Sequence, residues 1–495
     1  MKQTRTVSFA IIPALTALLP LLLIADLALP GGAWAAGGGG AIGKILPWWS
    51  AVPFIGILLS IALCPLFTPR FWHLHYGKAT IFWALLFALP FLYAFPHVAL
   101  YEILHIFLVD YIPFIILLWG LFTIAGGIVI TGSFSGTPII NTAMLCMGTF
   151  LASWVGTTGA AMVMIRPVLN ANKTRQNKVH TICFFIFLVA NIGGSLTPLG
   201  DPPLFLGFLH QVPFFWVTKA ILPHMLFTVA VLLAIFFMLD SFYFFREKKT
   251  EIIVEPEKEK TVLLKIEGSY NFILLAGVVG MVVTSGCWDG GNCSVRGIEL
   301  QWQNLARDAM IIVFGILSLV ITPKRLRHAN DFTWFPIQEV AKLFAGIFVT
   351  IIPLLAMLKA GMEGPLSGLI ALVKEPIHYY WITGGLSSFL DNAPTYLTFF
   401  NLALGQLGLT ESMVPAALAA NTATANPAFI SFLTAVSVGA VFMGANTYIG
   451  NAPNFMINSI AKEFGVNMPS FFGYMFKYSI PILMPVFIVV GFIFF

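Results

Sequence analysis

The amino-acid sequence predicts an all-α polytopic membrane protein made of two inverted-topology repeats, and three observations carry that prediction. Of 495 residues, 58% are hydrophobic and 9% are Asp, Glu, Lys or Arg, whereas a soluble domain carries about 25% charged residues. The apolar residues run in blocks of roughly 16 to 30, long enough to cross a hydrocarbon core about 30 Å thick. The same pair of Gly-, Thr- and Pro-bearing interruptions then occurs once in each half of the chain.

Residues 1–36 hold Lys2 and Arg5, an apolar stretch, and Ala33-Trp34-Ala35 in the A-x-A pattern of a signal-peptide cleavage site. An uncleaved first membrane segment is the other reading, because the apolar stretch exceeds the usual signal-peptide length. Either way, the Gly-rich stretch from Gly37 begins outside the cytoplasm. The first half, 37–245, has spans near 50–67, 79–96 and 111–131, a broken segment at 138–171, and segments at 181–212 and 215–245. A linker at 246–268 with six basic and six acidic residues separates it from the second half, 269–495. There the spans fall near 269–285, 308–323 and 338–360, followed by a broken segment at 377–405 and segments at 428–463 and 471–495.

With residue 37 outside, the loops at 68–78, 172–180, 246–268 and 324–337 lie inside and hold 14 Lys or Arg. The outer loops hold far fewer, as the positive-inside rule requires. The net charge of +5 is therefore spread over loops and forms no stripe, which excludes nucleic acid as a partner. Cys287 and Cys293 share the external loop CWDGGNC, where an oxidising compartment permits a disulfide. Cys64, Cys146 and Cys183 read as small apolar fillers. No zinc or haem spacing, P-loop or nucleophile motif is present. No cofactor is expected, and the chain is expected not to be an enzyme.

The interruptions align without a gap. GSLTPLGDPPLF at 194–205 faces GANTYIGNAPNF at 444–455, sharing Gly194/Gly444, Thr197/Thr447, Gly200/Gly450, Pro203/Pro453 and Phe205/Phe455, with Asp201 opposite Asn451. Upstream, SWVGTTGA at 153–160 faces SFLDNAPT at 388–395. The order is the same in both halves while the flanks fall on opposite sides, the arrangement from which many transporters are built. A helix broken inside the bilayer leaves N–H and C=O groups that only protein or a wet cavity can satisfy. Gly allows the unusual backbone angles and Pro starts the next half-helix. The hydroxyls of Ser153, Thr157, Thr158, Thr197, Ser388, Thr395 and Thr447 and the amides of Asn392, Asn446 and Asn451 supply the oxygens a dehydrated Na⁺ needs.

Asp391 and Asp201 are the candidate ion-binding acids. A carboxylate at mid-membrane costs about 2.5 to 3.5 kcal/mol unless partnered, so it is seldom kept without a use. Each can also be read as a helix N-cap, and Asn451 opposite Asp201 favours that plainer reading for Asp201. Asp391 is accordingly the stronger candidate. Arg166, in AAMVMIRPVL, is a candidate charge partner for a neighbouring carboxylate or an anionic substrate; snorkelling toward Lys173, Arg175 and Lys178 is the simpler alternative. Glu102, His105 and Asp110 lie in an amphipathic stretch and are expected at the interface. Glu339 and Lys342, three apart, are expected to pair locally.

The runs ASWVGTTGAAMVMIRPVLNAN, FFIFLVANIGGSLTPLGDPPLFLGFL, EVAKLFAGIFVTIIP and FMGANTYIGNAPNFMINSIAKEFGV resemble the bacterial citrate-transport family whose members are usually labelled sodium:proton antiporters. That family sits in the ion transporter superfamily with NhaD-type antiporters, arsenite permeases and divalent-anion/sodium symporters. The resemblance covers nearly the whole chain after the first segment. It implies a re-entrant helical hairpin in each repeat, tipped at Gly156–Gly159 and Asp391–Pro394, followed by a helix broken at Thr197–Pro203 and Thr447–Pro453. It also implies the bacterial inner membrane, with 246–268 cytoplasmic, a homodimer, and an elevator-like shift, the last two as analogy. The symporters carry Ser-Asn-Thr triplets at their tips, whereas these tips read Gly-Thr-Thr-Gly and Asp-Asn-Ala-Pro. An anion would meet Asp391 there, so the expected cargo is a cation. The leading expectation is exchange of Na⁺ or Li⁺ for H⁺, with Asp391 and Asp201 as the Na⁺ ligands and small ions and membrane lipid as partners. Na⁺- or H⁺-coupled transport of citrate or a related carboxylate or oxyanion is the alternative.

Overall fold

Proline opens many of the long helices. Its missing N–H falls among the first-turn groups that have no helical partner anyway, and its ring disfavours helical geometry in the residue before it. The computed structural model describes residues 39–132, 135–248, 265–420 and 422–495. Helix α1 is Gly39–Ile45, α2 Val52–Phe67, α3 Pro69–Ala94 and α4 Pro96–His105, which continues through a π-helical turn at Ile106–Tyr111 into α5, Ile112–Ala125. The first interrupted region comprises α6 Pro138–Val155, α7 Thr157–Ala171, α8 Val179–Leu188 and α9 Pro202–Leu209. Helices α10 Phe214–Lys248, α11 Tyr270–Cys287, α12 Trp302–Ile321, α13 Lys324–Ala329, α14 Phe335–Lys359 and α15 Ser367–Ile370 follow. The second interrupted region comprises α16 Pro376–Ser387, α17 Asn392–Leu407, α18 Val414–Leu418, α19 Pro427–Met443 and α20 Ala452–Glu463. The chain closes with α21 Phe471–Tyr474, a π-helical stretch and α22 Met484–Phe494.

Eleven helical stretches among the described residues are long and apolar enough to cross a membrane. The protein is thus all-α and polytopic, as its composition predicts. The strands among the described residues are short: β1 Val129–Thr131 pairs antiparallel with β2 Lys265–Glu267, and β3 Asn292–Val295 with β4 Ile298–Gln301.

Burial separates two kinds of helix. The stretch Val179–Leu196 is 89% buried and Pro427–Asn446 is 83% buried, whereas Pro69–Ala94 is 17% buried. The interrupted segments therefore form the core, and α3 turns side chains such as Leu74, Leu89 and Tyr93 outward. Apolar exposure on that scale belongs against lipid and not water. Helix α14 packs against α1, α3 and α17, and so lies between the outer helices and the core.

Three local expectations change, and a pairing the sequence left open is not made. Residues 69–78 are the first turns of α3 and not a loop, because Pro69 starts the helix directly after Thr68. The amphipathic stretch around Asp110 lies inside a continuous span, Pro96–Ala125, so Asp110 is buried and not interfacial. Lys342 lies over the Tyr76 ring, with its Nζ 5.5 Å from the ring centroid, and not against Glu339. Cys287 and Cys293 are both free thiols. Residues 1–36 and most of the linker lie outside the described residues; at the linker's described ends, 246–248 complete α10 and 265–267 form β2.

Candidate functional site

Both hairpins turn where regular helix cannot continue. Helix α6 stops at Gly156, whose φ of 81° and ψ of 149° are open only to glycine at low cost, and α7 begins at the next residue. In the second half the turn after α16 ends at Asp391, and α17 begins at Asn392. The Asp391 carboxylate accepts a hydrogen bond from the Ala393 backbone N–H at 3.0 Å, a side-chain cap.

The broken helices repeat one another closely. After short turns at Ile192–Leu196 and Gly444–Asn446, Thr197 and Thr447 are extended, with φ of −138° and −139°. The Thr197 hydroxyl donates to the Ser153 carbonyl and accepts from the Leu199 N–H at 3.2 Å. Thr447 donates to the Ser388 carbonyl at 2.5 Å and accepts from the Ile449 and Gly450 N–H groups at 3.3 and 3.2 Å. Each threonine therefore ties a hairpin to its broken helix and satisfies backbone groups that the break has released. The loops fold tightly enough that a Cβ on Gly200 would sit 2.1 Å from the Gly194 oxygen, and one on Gly450 2.5 Å from the Gly444 oxygen.

All four interruptions meet at Asp201. Its carboxylate, in a residue 1% exposed, accepts from the Thr157 hydroxyl at 3.0 Å, the Asn451 amide at 3.0 Å and the Asn392 amide at 2.5 Å. Thr157 and Asn392 occupy matching positions on the two hairpins, and Asp201 and Asn451 matching positions on the two broken helices. Asp201 makes no side-chain cap bond to α9, so the N-cap explanation does not hold for it. Asp391 is the acid that caps; it is half-buried and close enough for its charge to act on Asp201. Among the described residues, neither carboxylate pairs with a basic side chain. The Asn392 Oδ1 is buried without a hydrogen-bond partner, leaving a free oxygen acceptor in the same cluster. Carboxylate, amide and hydroxyl oxygens of this kind suit a hard cation.

The remaining candidates form the layer around that cluster. Ser153 donates to the Gly193 carbonyl. Asn446 donates to the Ser388 hydroxyl at 2.8 Å and accepts from Ser479 at 3.2 Å. Thr158 is half-buried beside the first tip, and Thr395 donates to the Asp391 carbonyl at 2.9 Å. Arg166 is not a partner of either site acid: its Nη2 lies 2.8 Å from Asp331. Nine residues beyond Thr157 on α7, it is about 14 Å from the tip at 1.5 Å per residue.

Two groupings escaped the sequence reading, which named Asn451 and Asp110 only singly. Asn191 donates to Asn454 at 2.7 Å, Asn454 donates to the Gly444 and Thr447 carbonyls at 2.9 Å, and Asn451 also donates to the Ala190 carbonyl at 3.1 Å. These amides cross-link the two broken helices; the visible signal was polar Asn454 in a span where the first half has Leu204. The second group, Asp110, His210, Lys359 and Glu411, comes from four distant parts of the chain, so no local motif announces it.

A search of curated proteins finds no match. The model of the family described as "Putative citrate transport" matches residues 43–495, which takes in every element of the site. This multi-pass membrane protein, its four interruptions converging on one buried acid, therefore belongs to that citrate-transport family.

Proposed function

We propose that the chain is a secondary active transporter exchanging Na⁺ or Li⁺ for H⁺ across the bacterial inner membrane. The observation that carries this reading is Asp201, a buried carboxylate held by three neutral donors with no basic partner among the described residues. The donors favour the ionised form but leave its charge unbalanced, and an uncompensated charge is costly in the membrane interior. A proton or a small cation must offset it. A site that takes either one, but not both, exchanges them. Asp391 and the free Asn392 oxygen add ligands beside it.

Coupling follows from the same electrostatics. Moving a bare carboxylate through low dielectric is far costlier than moving a neutralised one, so the site changes its exposure only when loaded. Among the described residues, five stretches separate the two hairpins, Val179–Leu196, Phe214–Glu247, Tyr270–Cys287, Trp302–Ile321 and Phe335–Lys359. An odd number of crossings supports hairpins entering from opposite faces, as inverted repeats require.

The family's description names citrate and so raises a second reading, coupled transport of citrate or a related carboxylate. In that case a bound cation must first offset Asp201, since Arg166 is engaged by Asp331. Purified protein in vesicles with a trapped pH dye separates the two. Sodium-driven proton movement with no organic substrate supports exchange; a strict requirement for citrate moves the assignment to the second reading.

A further inference from the structure

The half-helix that begins at Asp201 ends at His210, the residue following Leu209 at the close of α9. His210 is 4% exposed, and its two ring nitrogens face two carboxylates: Nδ1 is 2.9 Å from Glu411 and Nε2 is 3.2 Å from Asp110. Glu411 in turn lies 2.7 Å from the Lys359 ammonium. The Phe400 ring of α17 covers the imidazole, with centroids 5.8 Å apart. Glu102 on α4 lies close enough for His105, Lys359 and Glu411 to act on its charge. Among the described residues, Glu411 and Asp110 are the charged groups that act on His210 directly.

The two outer ion pairs join different parts of the molecule. Asp110 lies on the π-helical turn between α4 and α5, and Lys359 closes α14. Helix α4 packs on α3, and α14 packs on α1 and α3 on one side and on α17 on the other. His210 follows the half-helix that Asp201 opens, and Glu411 follows α17, which Asn392 opens. Asp110–His210 and Lys359–Glu411 thus each run from the surrounding frame to a segment that bears the site.

We propose that Asp110, His210, Glu411 and Lys359 form a clasp that holds the site-bearing half-helix to the frame and opens when rising pH removes a proton from His210. This rests on the exchange reading above, whose site the clasp would restrain. A neutral imidazole has one N–H, so only the doubly protonated ring satisfies a carboxylate at each nitrogen. The Nε2 contact with Asp110 lacks hydrogen-bond alignment, and neither atom has another partner among the described residues. Charge alone holds that contact, and it goes when the charge goes. Burial disfavours the Glu411 carboxylate, but His210 and Lys359 outweigh that and hold it well below the usual carboxylate range, so it stays ionised while His210 titrates. The sign follows: the clasp's contribution is present while His210 is protonated and is lost as pH rises.

The test is hydrogen–deuterium exchange of the purified full-length protein between about pH 7 and pH 10, corrected for intrinsic exchange, following peptides that span 202–213 and 408–413. The wild type should lose at least fivefold protection there as pH rises, whereas His210→Gln should be unprotected throughout with no transition. Glu411→Gln, a change in an outer turn, should shift the transition to lower pH and keeps the proposal testable if His210→Gln does not insert. Identical profiles in wild type and both variants would overturn the clasp. The readout needs no transported ion: a pH transition abolished by the variants supports the clasp even where vesicles show no sodium-driven proton flux, a result that would count against exchange alone.

Discussion

The two helix breaks share a local backbone path and differ in where they place charge. Asp201 and Asn451 have nearly the same geometry, φ and ψ of −141° and 141° against −151° and 140°, and neither side chain caps its helix. Thr197 and Thr447 make matching bonds to matching serine carbonyls. Yet the first half carries its acid on the broken helix and glycine at the hairpin tip, while the second carries an amide on the broken helix and its acid at the tip. Gly, Thr and Pro are what the breaks require, and they recur. The acids are not required by the geometry, since Asn451 sits comfortably where Asp201 sits, so their placement answers to something other than folding.

The largest expected effect follows from erasing that difference. Asp201→Asn makes the first break read like the second; it should leave the protein monodisperse in detergent and reduce sodium-driven proton movement at least about 100-fold, beyond about 2.7 kcal/mol of lost stabilisation. Undiminished exchange would place the mobile charge elsewhere. Asp391→Asn is milder because asparagine caps as well as aspartate. Melting temperature should hardly change, while apparent sodium affinity falls about tenfold, the size of one partly solvated charge. An unaltered affinity would leave Asp391 as a cap only. Thr197→Val and Thr447→Val should each cost about 1 to 3 kcal/mol by orphaning backbone groups, read as lowered thermal stability in detergent. A loss confined to one half would break the equivalence of the two fastenings.

Much of this was legible in the sequence for a physical reason. Helix breaks in oil demand rare residues in a fixed order, so GSLTPLGDPPLF and GANTYIGNAPNF announce themselves, and the hairpin tips follow. What stayed hidden depends on which lone pair meets which proton. Asp391 looked the stronger ligand because the sequence cannot show that its carboxylate caps α17 while that of Asp201 caps nothing. Thr197 and Thr447 looked like free oxygen donors because their bonds to Ser153 and Ser388 span about 45 to 60 residues of chain, beyond local pattern. Asp110 looked interfacial because its neighbours alternate; only the partner His210, a hundred residues on, explains its burial.

The smallest expected effect concerns Arg166, and its smallness carries weight. The guanidinium is held by Asp331, whose side chain is 72% exposed, and exposed pairs contribute about 0 to 1 kcal/mol. Its distance from the Thr157 tip leaves it no direct part in neutralising Asp201. Arg166→Gln should therefore change sodium-driven proton movement by less than about twofold and stability by at most about 1 kcal/mol. A carboxylate cargo would give a different result. If Arg166 left Asp331 to bind such an anion, losing a charge-assisted contact of about 1.5 to 3 kcal/mol would raise the KM for citrate at least tenfold while leaving exchange without citrate untouched. Measuring both fluxes in one variant thus tests whether the positive charge on the first hairpin is a surface tether or a substrate ligand.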